Sequence, residues 1–100
     1  MNFKILFTDS ANEDFYNIID YIAQDSLTNA LKFVEQLETR IKDTLSILPF
    51  SGTPYKDNIR FFSFGNYVVV YEPQKTDKIV VVYMITQSNR QWRTILDDRA

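Results

Sequence analysis

The stretch KIVVVYMI, Lys78 to Ile85, decides how this chain folds. In a strand, Val80, Val82 and Met84 share one face and Ile79, Val81, Tyr83 and Ile85 the other, so both faces are apolar. A strand of that kind lies inside a sheet with a cover on each side. Two more runs of β-branched and aromatic residues precede it, IRFFSF (59–64) and YVVVYE (67–72). Between them stand only Gly65 and Asn66, which tolerate positive φ and can close a two-residue hairpin turn. PQKTD (73–77) makes the next turn. Upstream, PFSGTPYKDN (49–58) gathers two prolines, a glycine and polar residues, and reads as a loop.

Before that loop the period changes. Phe3, Ile5 and Phe7 alternate with Lys4, Leu6 and Thr8, as in a first strand, and then Ser10 and Glu13 have the spacing of a capping box. Phe15, Ile18, Ile19 and Ile22 follow at helical spacing, with Glu13, Asp14, Asn17 and Asp20 mostly facing away. The spacing predicts an amphipathic helix from about Ala11 to Gln24. Ser26 is placed to cap a second helix, whose Leu27, Ala30, Val34, Leu37, Ile41, Leu45 and Leu48 recur every three or four positions until Pro49 ends it. A connection this short forces the helices antiparallel, as a hairpin packed on the sheet. The hairpin covers one face of the central strand. The other needs either the tail QWRTILDD, with Trp92, Ile95 and Leu96, or a second chain. The expected class is α+β: a small antiparallel sheet in the order β-α-α-β-β-β against a helical hairpin, with a short C-terminal helical turn.

A chain of 100 residues suits one domain over 1–100. Its 45% hydrophobic content and only two glycines are those of a packed chain and not of a disordered tail. With no Cys and no His, disulfides, thiolate nucleophiles, Ser-His triads and the usual zinc sets drop out, and neither metal nor cofactor is expected. The formal charge of -2 disfavours general binding to phosphate backbones. Charge is uneven, however: residues 1–50 hold four basic and eight acidic groups, residues 51–100 seven and five, so an anionic partner should meet the second half. The apolar run Ile79 to Ile85 is too short to span a bilayer and MNFKILF lacks the features of a secretory signal, so a cytoplasmic protein without a membrane partner is expected.

These residues resemble a known family. An ANEDFYNIIDYIAQDS helix, an ALKFVEQLETRIKDTLSILPFSG helix, an IR strand, a YVVVY strand and a last strand running into QSNRQW are similar, in order and over nearly the full length, to the RelE/ParE superfamily of toxins from bacterial toxin-antitoxin pairs. Asp14, Tyr21-Ile22-Ala23, Pro49, Gly52, Arg60, Tyr67, Tyr71 and Arg90 carry the local likeness. The resemblance implies a cognate antitoxin, a hetero-oligomer with it, and one of two activities. RelE-like members cleave messenger RNA on the ribosome; ParE-like members poison DNA gyrase by binding. Cleavage through a ribose hydroxyl needs a proton acceptor, a proton donor and positive charge at the phosphate. Here Arg60 and Arg90 would supply the charge and Tyr67 the proton chemistry. Yet Gln87 and Gln91 stand where many members place His and a carboxylate, and no arginine lies between Lys78 and Arg90. The resemblance is therefore closer to ParE, implying a plasmid-stabilisation toxin that inhibits gyrase and is not an enzyme. The alternatives are a ribosome-dependent messenger endonuclease of the RelE type and an inactive member that only binds antitoxin.

The expected target contacts are Arg60, Arg90, Trp92 and Arg93. Arg60, between apolar neighbours, must leave the sheet to meet a partner or pair with a carboxylate of the acidic first half. Arg90 and Arg93 can share a face of a terminal turn beside Trp92, or form a solvated end over a core tryptophan. Tyr67, Tyr71 and Tyr83 can present phenols or pack as core, and Lys56 lies in the loop. Asp9, Asp14, Asp20 and Asp25 are spread along a solvated helix side and form no acid/base pair. For the antitoxin, the expected contacts are Leu37 and Ile41 on the hairpin and Val80, Val82 and Met84 on the last strand.

Overall fold

A computed structural model describes residues 2–99. The elements run β1 (Lys4–Phe7), α1 (Asp9–Ala23), α2 (Leu27–Ile47), β2 (Thr53–Lys56), β3 (Ile59–Phe64), β4 (Tyr67–Gln74), β5 (Ile79–Gln87) and α3 (Trp92–Arg99). They form the expected α+β architecture, with differences in detail. The sheet has five strands in the order β1-β5-β4-β3-β2, and β1 pairs parallel to β5, from Lys4↔Ile79 to Phe7↔Val82. The extra strand, β2, comes from the segment expected to be a loop. Pro54 is tolerated there because β2 is an edge strand, and a register shift between Pro54 and Lys56 marks its irregularity.

Local chemistry explains the helix ends. α1 starts earlier than its capping-box reading, because the Thr8 hydroxyl, and not that of Ser10, accepts from the Ala11 amide at 3.1 Å. Ser26 caps α2 as expected, accepting from the Asn29 amide at 3.2 Å. Gly65 takes φ of +57° in the β3–β4 turn, where Phe64 and Tyr67 close the ladder.

β5 lies between β1 and β4 and is covered on both faces. On one side Phe15, Ile18, Leu37, Ile41 and Leu45 of the helical hairpin pack on Val69, Tyr71, Val80, Val82 and Ile85. On the other, Trp92 and Leu96 of α3 pack on Val68, Val70 and Met84, with Tyr55, Phe61 and Tyr83 around them. The chain's own tail therefore supplies the second cover. Simple alternation along β5 fails at one point: Tyr71 pairs with Val82 and Val70 with Met84, leaving Tyr83 as the extra residue of a bulge. Past it the faces exchange, so Met84 lies under α3 while Val80 and Val82 lie under the hairpin.

Candidate functional site

β1 stops at Phe7, opposite Val82, but β5 runs on to Gln87, so that edge of β5 lacks a strand partner beyond Val82. Side chains take the place of one. The Asp14 carboxylate, buried in α1, accepts the Ile85 amide at 2.9 Å and a two-pronged guanidinium from Arg99 at 2.8 and 2.9 Å. Arg99 also donates to the Tyr83 carbonyl at 3.0 Å. The Asp14 hydrogen bond raises the guanidinium's pKa further above its ordinary value, against the opposing cost of burial. Asp14 is thus no solvated helix residue, as its spacing suggested. Helical periodicity cannot reveal a carboxylate recruited by a strand edge from another part of the chain. Beside this plug opens a cleft of about 250 Å³ lined by Asn17, Tyr21, Tyr67, Thr86, Gln87 and Arg90, among others.

Arg60 is occupied elsewhere. Its Nη1 donates to the carbonyls of Phe50 and Gly52, at 3.0 and 2.8 Å, and its guanidinium lies 5.5 Å from the centre of the Phe50 ring. Across the hairpin from Arg60, the buried Tyr71 hydroxyl accepts the Gly52 amide at 2.8 Å. Burial raises the pKa of Tyr71, partly offset by that amide. The guanidinium and the phenol together fix the turn that leaves α2. The Arg60 partners are backbone carbonyls, and not the carboxylate of the acidic first half that its sequence setting offered as one reading.

On the α3 face, the Arg93 guanidinium sits 4.2 Å from the Trp92 ring, with the Tyr55 and Phe61 rings at 5.5 and 5.6 Å. Trp92 itself is buried, edge-on to Tyr55 and tilted against Phe61. Arg90, which precedes α3, lines the cleft beside α1, so the two arginines do not form one patch on a helical turn. Lys56 donates to Asp97 at 3.0 Å, and that bond raises the pKa of the lysine. The Tyr83 hydroxyl donates to Glu72 at 2.7 Å, and burial followed by the carboxylate pushes the phenol up to about 12.

The three groups proposed for proton and charge chemistry are divided. Tyr67 and Arg90 share the cleft, whereas Arg60 pairs with Tyr71, four residues along β4 from Tyr67 or about 13 Å at strand rise. The five residues expected to meet an antitoxin, Leu37, Ile41, Val80, Val82 and Met84, are all fully enclosed by the chain's own elements. Runs of apolar residues reveal burial without revealing whether it is internal. Exposed apolar side chains lie instead at Leu27 and Leu31 on α2, at Tyr16 and Tyr21 on α1, and at Ile47, Leu48 and Phe50 where α2 ends. Among the described residues, no acidic cluster could hold a metal and no helix is long and apolar enough to cross a membrane.

The family model for the ParE toxin of the type II toxin-antitoxin system parDE matches residues 5–92. No curated protein sequence matches significantly. Among solved structures, a chain of the chromosomal ParDE toxin-antitoxin system from P. aeruginosa superposes with a TM-score of 0.72 at 16% identity, covering 85% of this chain and 95% of that one. A chain of the RelBE2 toxin-antitoxin complex from Mycobacterium tuberculosis gives 0.70 at 15% identity, covering 90% and 95%. The isolated E. coli RelE toxin gives 0.64 at 14%, covering 97% of both chains. At such identities the likeness is one of fold.

Proposed function

We propose, because the chain belongs to the ParE toxin family of type II toxin-antitoxin systems, that it acts by binding DNA gyrase and is not a nuclease. Residues 1–100 act as one toxin domain in the bacterial cytoplasm, where a plasmid-stabilisation system would release it from its antitoxin. Arg90 and Arg93 are the direct target contacts, Trp92 supports Arg93 from below, and Arg60 acts by ordering the turn through Phe50 and Gly52. The observation that carries this reading is the separation of Arg60 from Tyr67 and Arg90. Phosphodiester cleavage needs a proton acceptor, a proton donor and positive charge converging on one phosphate, and of the three expected groups the cleft holds only Tyr67 and Arg90. A binding surface needs no such convergence.

The exposed apolar residues on the helical hairpin and at its end, Leu27, Leu31, Ile47, Leu48 and Phe50, are the surface we assign to the antitoxin. Two of the solved chains of similar fold come from toxin-antitoxin systems, which supports such a partner. The test is supercoiling by purified DNA gyrase, scored for inhibition and for trapped breaks. Inhibition that is lost in Arg90→Ala and Arg93→Ala is the expected result. An inert, folded sample that cuts transcripts in a translating extract would replace this reading with the messenger endonuclease; a sample inert in both, with normal growth on expression, would leave an antitoxin-binding protein.

A further inference from the structure

Arg93 differs from the other cations on its side of the sheet, where Lys56 is taken by Asp97 and Arg99 by Asp14. Arg60, on the hairpin face opposite Tyr71, is taken by two backbone carbonyls. Arg93 has no hydrogen-bond or ion-pair partner among the described residues; aromatic rings alone hold it. A guanidinium 4.2 Å from an indole has its apolar face satisfied, while the donors on its edge stay available. The supporting rings are fixed in turn: Tyr55 and Phe61 pack on Trp92 at 5.3 and 5.0 Å, and Trp92 is anchored in the core under α3. Little conformational entropy remains for this side chain to lose when an acceptor arrives.

We propose that this aromatic-mounted Arg93 is a recognition site for a single carboxylate, an Asp or Glu side chain on the surface of a partner protein. The proposal rests on the binding reading above and specifies the chemistry of one contact. A planar guanidinium with free edge donors matches a carboxylate in two-pronged geometry. A nucleic acid is the poorer fit. Phosphate backbones are held by rows of cations, and the basic side chains nearest in the fold are already paired within the chain.

The test uses the full chain with two probes of similar charge, fluorescein-labelled hexaglutamate and a labelled six-residue oligothymidylate. Binding is read by anisotropy and by the emission of Trp92, the only tryptophan. Hexaglutamate is expected to bind at least fivefold tighter than the oligonucleotide and to perturb Trp92. Arg93→Gln and Arg93→Lys are both expected to weaken it about tenfold or more, lysine because it keeps the charge but loses the stack and the fork. Unchanged far-UV circular dichroism would verify folding, and Lys42→Gln, on α2 across the sheet and paired there with Glu38, should bind like the parent. Absent or Arg93-independent binding overturns the site, and tighter oligonucleotide binding overturns the choice of carboxylate over phosphate. Carboxylate binding by a protein that leaves gyrase active would retain the site and discard the target.

Discussion

At the scale of single residues, the Asp14 carboxylate does two separable things, and mutation should divide them. It accepts a strand amide that no other group reaches, and it anchors Arg99. Asp14→Ala strands the buried Ile85 amide and removes the ion pair, so a loss of about 3 kcal/mol is expected in urea denaturation. Arg99→Ala leaves Asp14 bonded to Ile85 and near enough to solvent to be rehydrated; about 1 kcal/mol is expected. Equal losses would mean that the amide bond contributes little. Tyr83 makes the second prediction at this scale. Its folded phenol titrates near 12, against 10.0 for an ordinary tyrosine, so above pH 10 the unfolded chain gives up its proton first. The unfolded state then binds fewer protons and stability falls as pH rises from about 10 toward 12. Tyr71, also raised, adds to the same fall. Urea midpoints between pH 8 and 11 should show that slope, and Tyr83→Phe should flatten it.

At the scale of elements, the turn from α2 into β2 is held by a close approach. A Cβ on Gly52 would lie 2.3 Å from the Tyr71 hydroxyl and 2.8 Å from the Phe61 carbonyl, so only glycine fits. Gly52→Ala is expected to cost about 2 kcal/mol, and Tyr71→Phe about 1 kcal/mol for the lost hydrogen bond. Removing the hydroxyl also removes the nearest obstacle to the new methyl, so the double variant should lose less than the sum. Additive losses would place the strain at Phe61 instead. This turn also marks the limit of what the sequence discloses. The helical hairpin, its Ser26 cap, the Gly65-Asn66 turn and the central position of β5 follow from spacing and turn chemistry, all local signals. β2 does not, because Pro and Gly density marks irregular backbone equally well in a loop and in an edge strand. The bulge at Tyr83 and the plug at Asp14 depend on pairing between segments far apart in the chain, which no local period encodes. For the site the same division holds: Arg60, Arg90 and Arg93 are visible as basic residues, but which of them is left without an acceptor is decided by tertiary contacts.

At the scale of the whole molecule, the sheet has two unequal covers, and their inequality should govern how the protein opens. The hairpin presents two helices of 15 and 21 residues, whereas the other face has the 8-residue α3. Beyond Trp92 and Leu96, α3 is fastened by Arg99 to Asp14 and by the solvent-exposed Lys56–Asp97 pair, and exposed pairs of that kind stabilise little. The apolar stripe of β5 could not itself reveal whether this cover belonged to the same chain. Once it is known to be a short terminal helix, local unfolding of α3 with the hairpin intact becomes the lowest-energy opening. Leu37 and Leu96 distinguish the two covers, since both are buried leucines, one under each. Leu37→Ala should lower the stability of the entire fold by about 3 kcal/mol, raising amide exchange in β4 and β5 together with the helices. Leu96→Ala should act mainly on α3. Its amides should lose protection in deuterium exchange read by mass spectrometry, while those of Val69, Val70 and Val82 stay close to the parent. If Leu96→Ala instead accelerated exchange throughout the sheet, α3 would be an integral part of the cooperative core and not a separately opening cover.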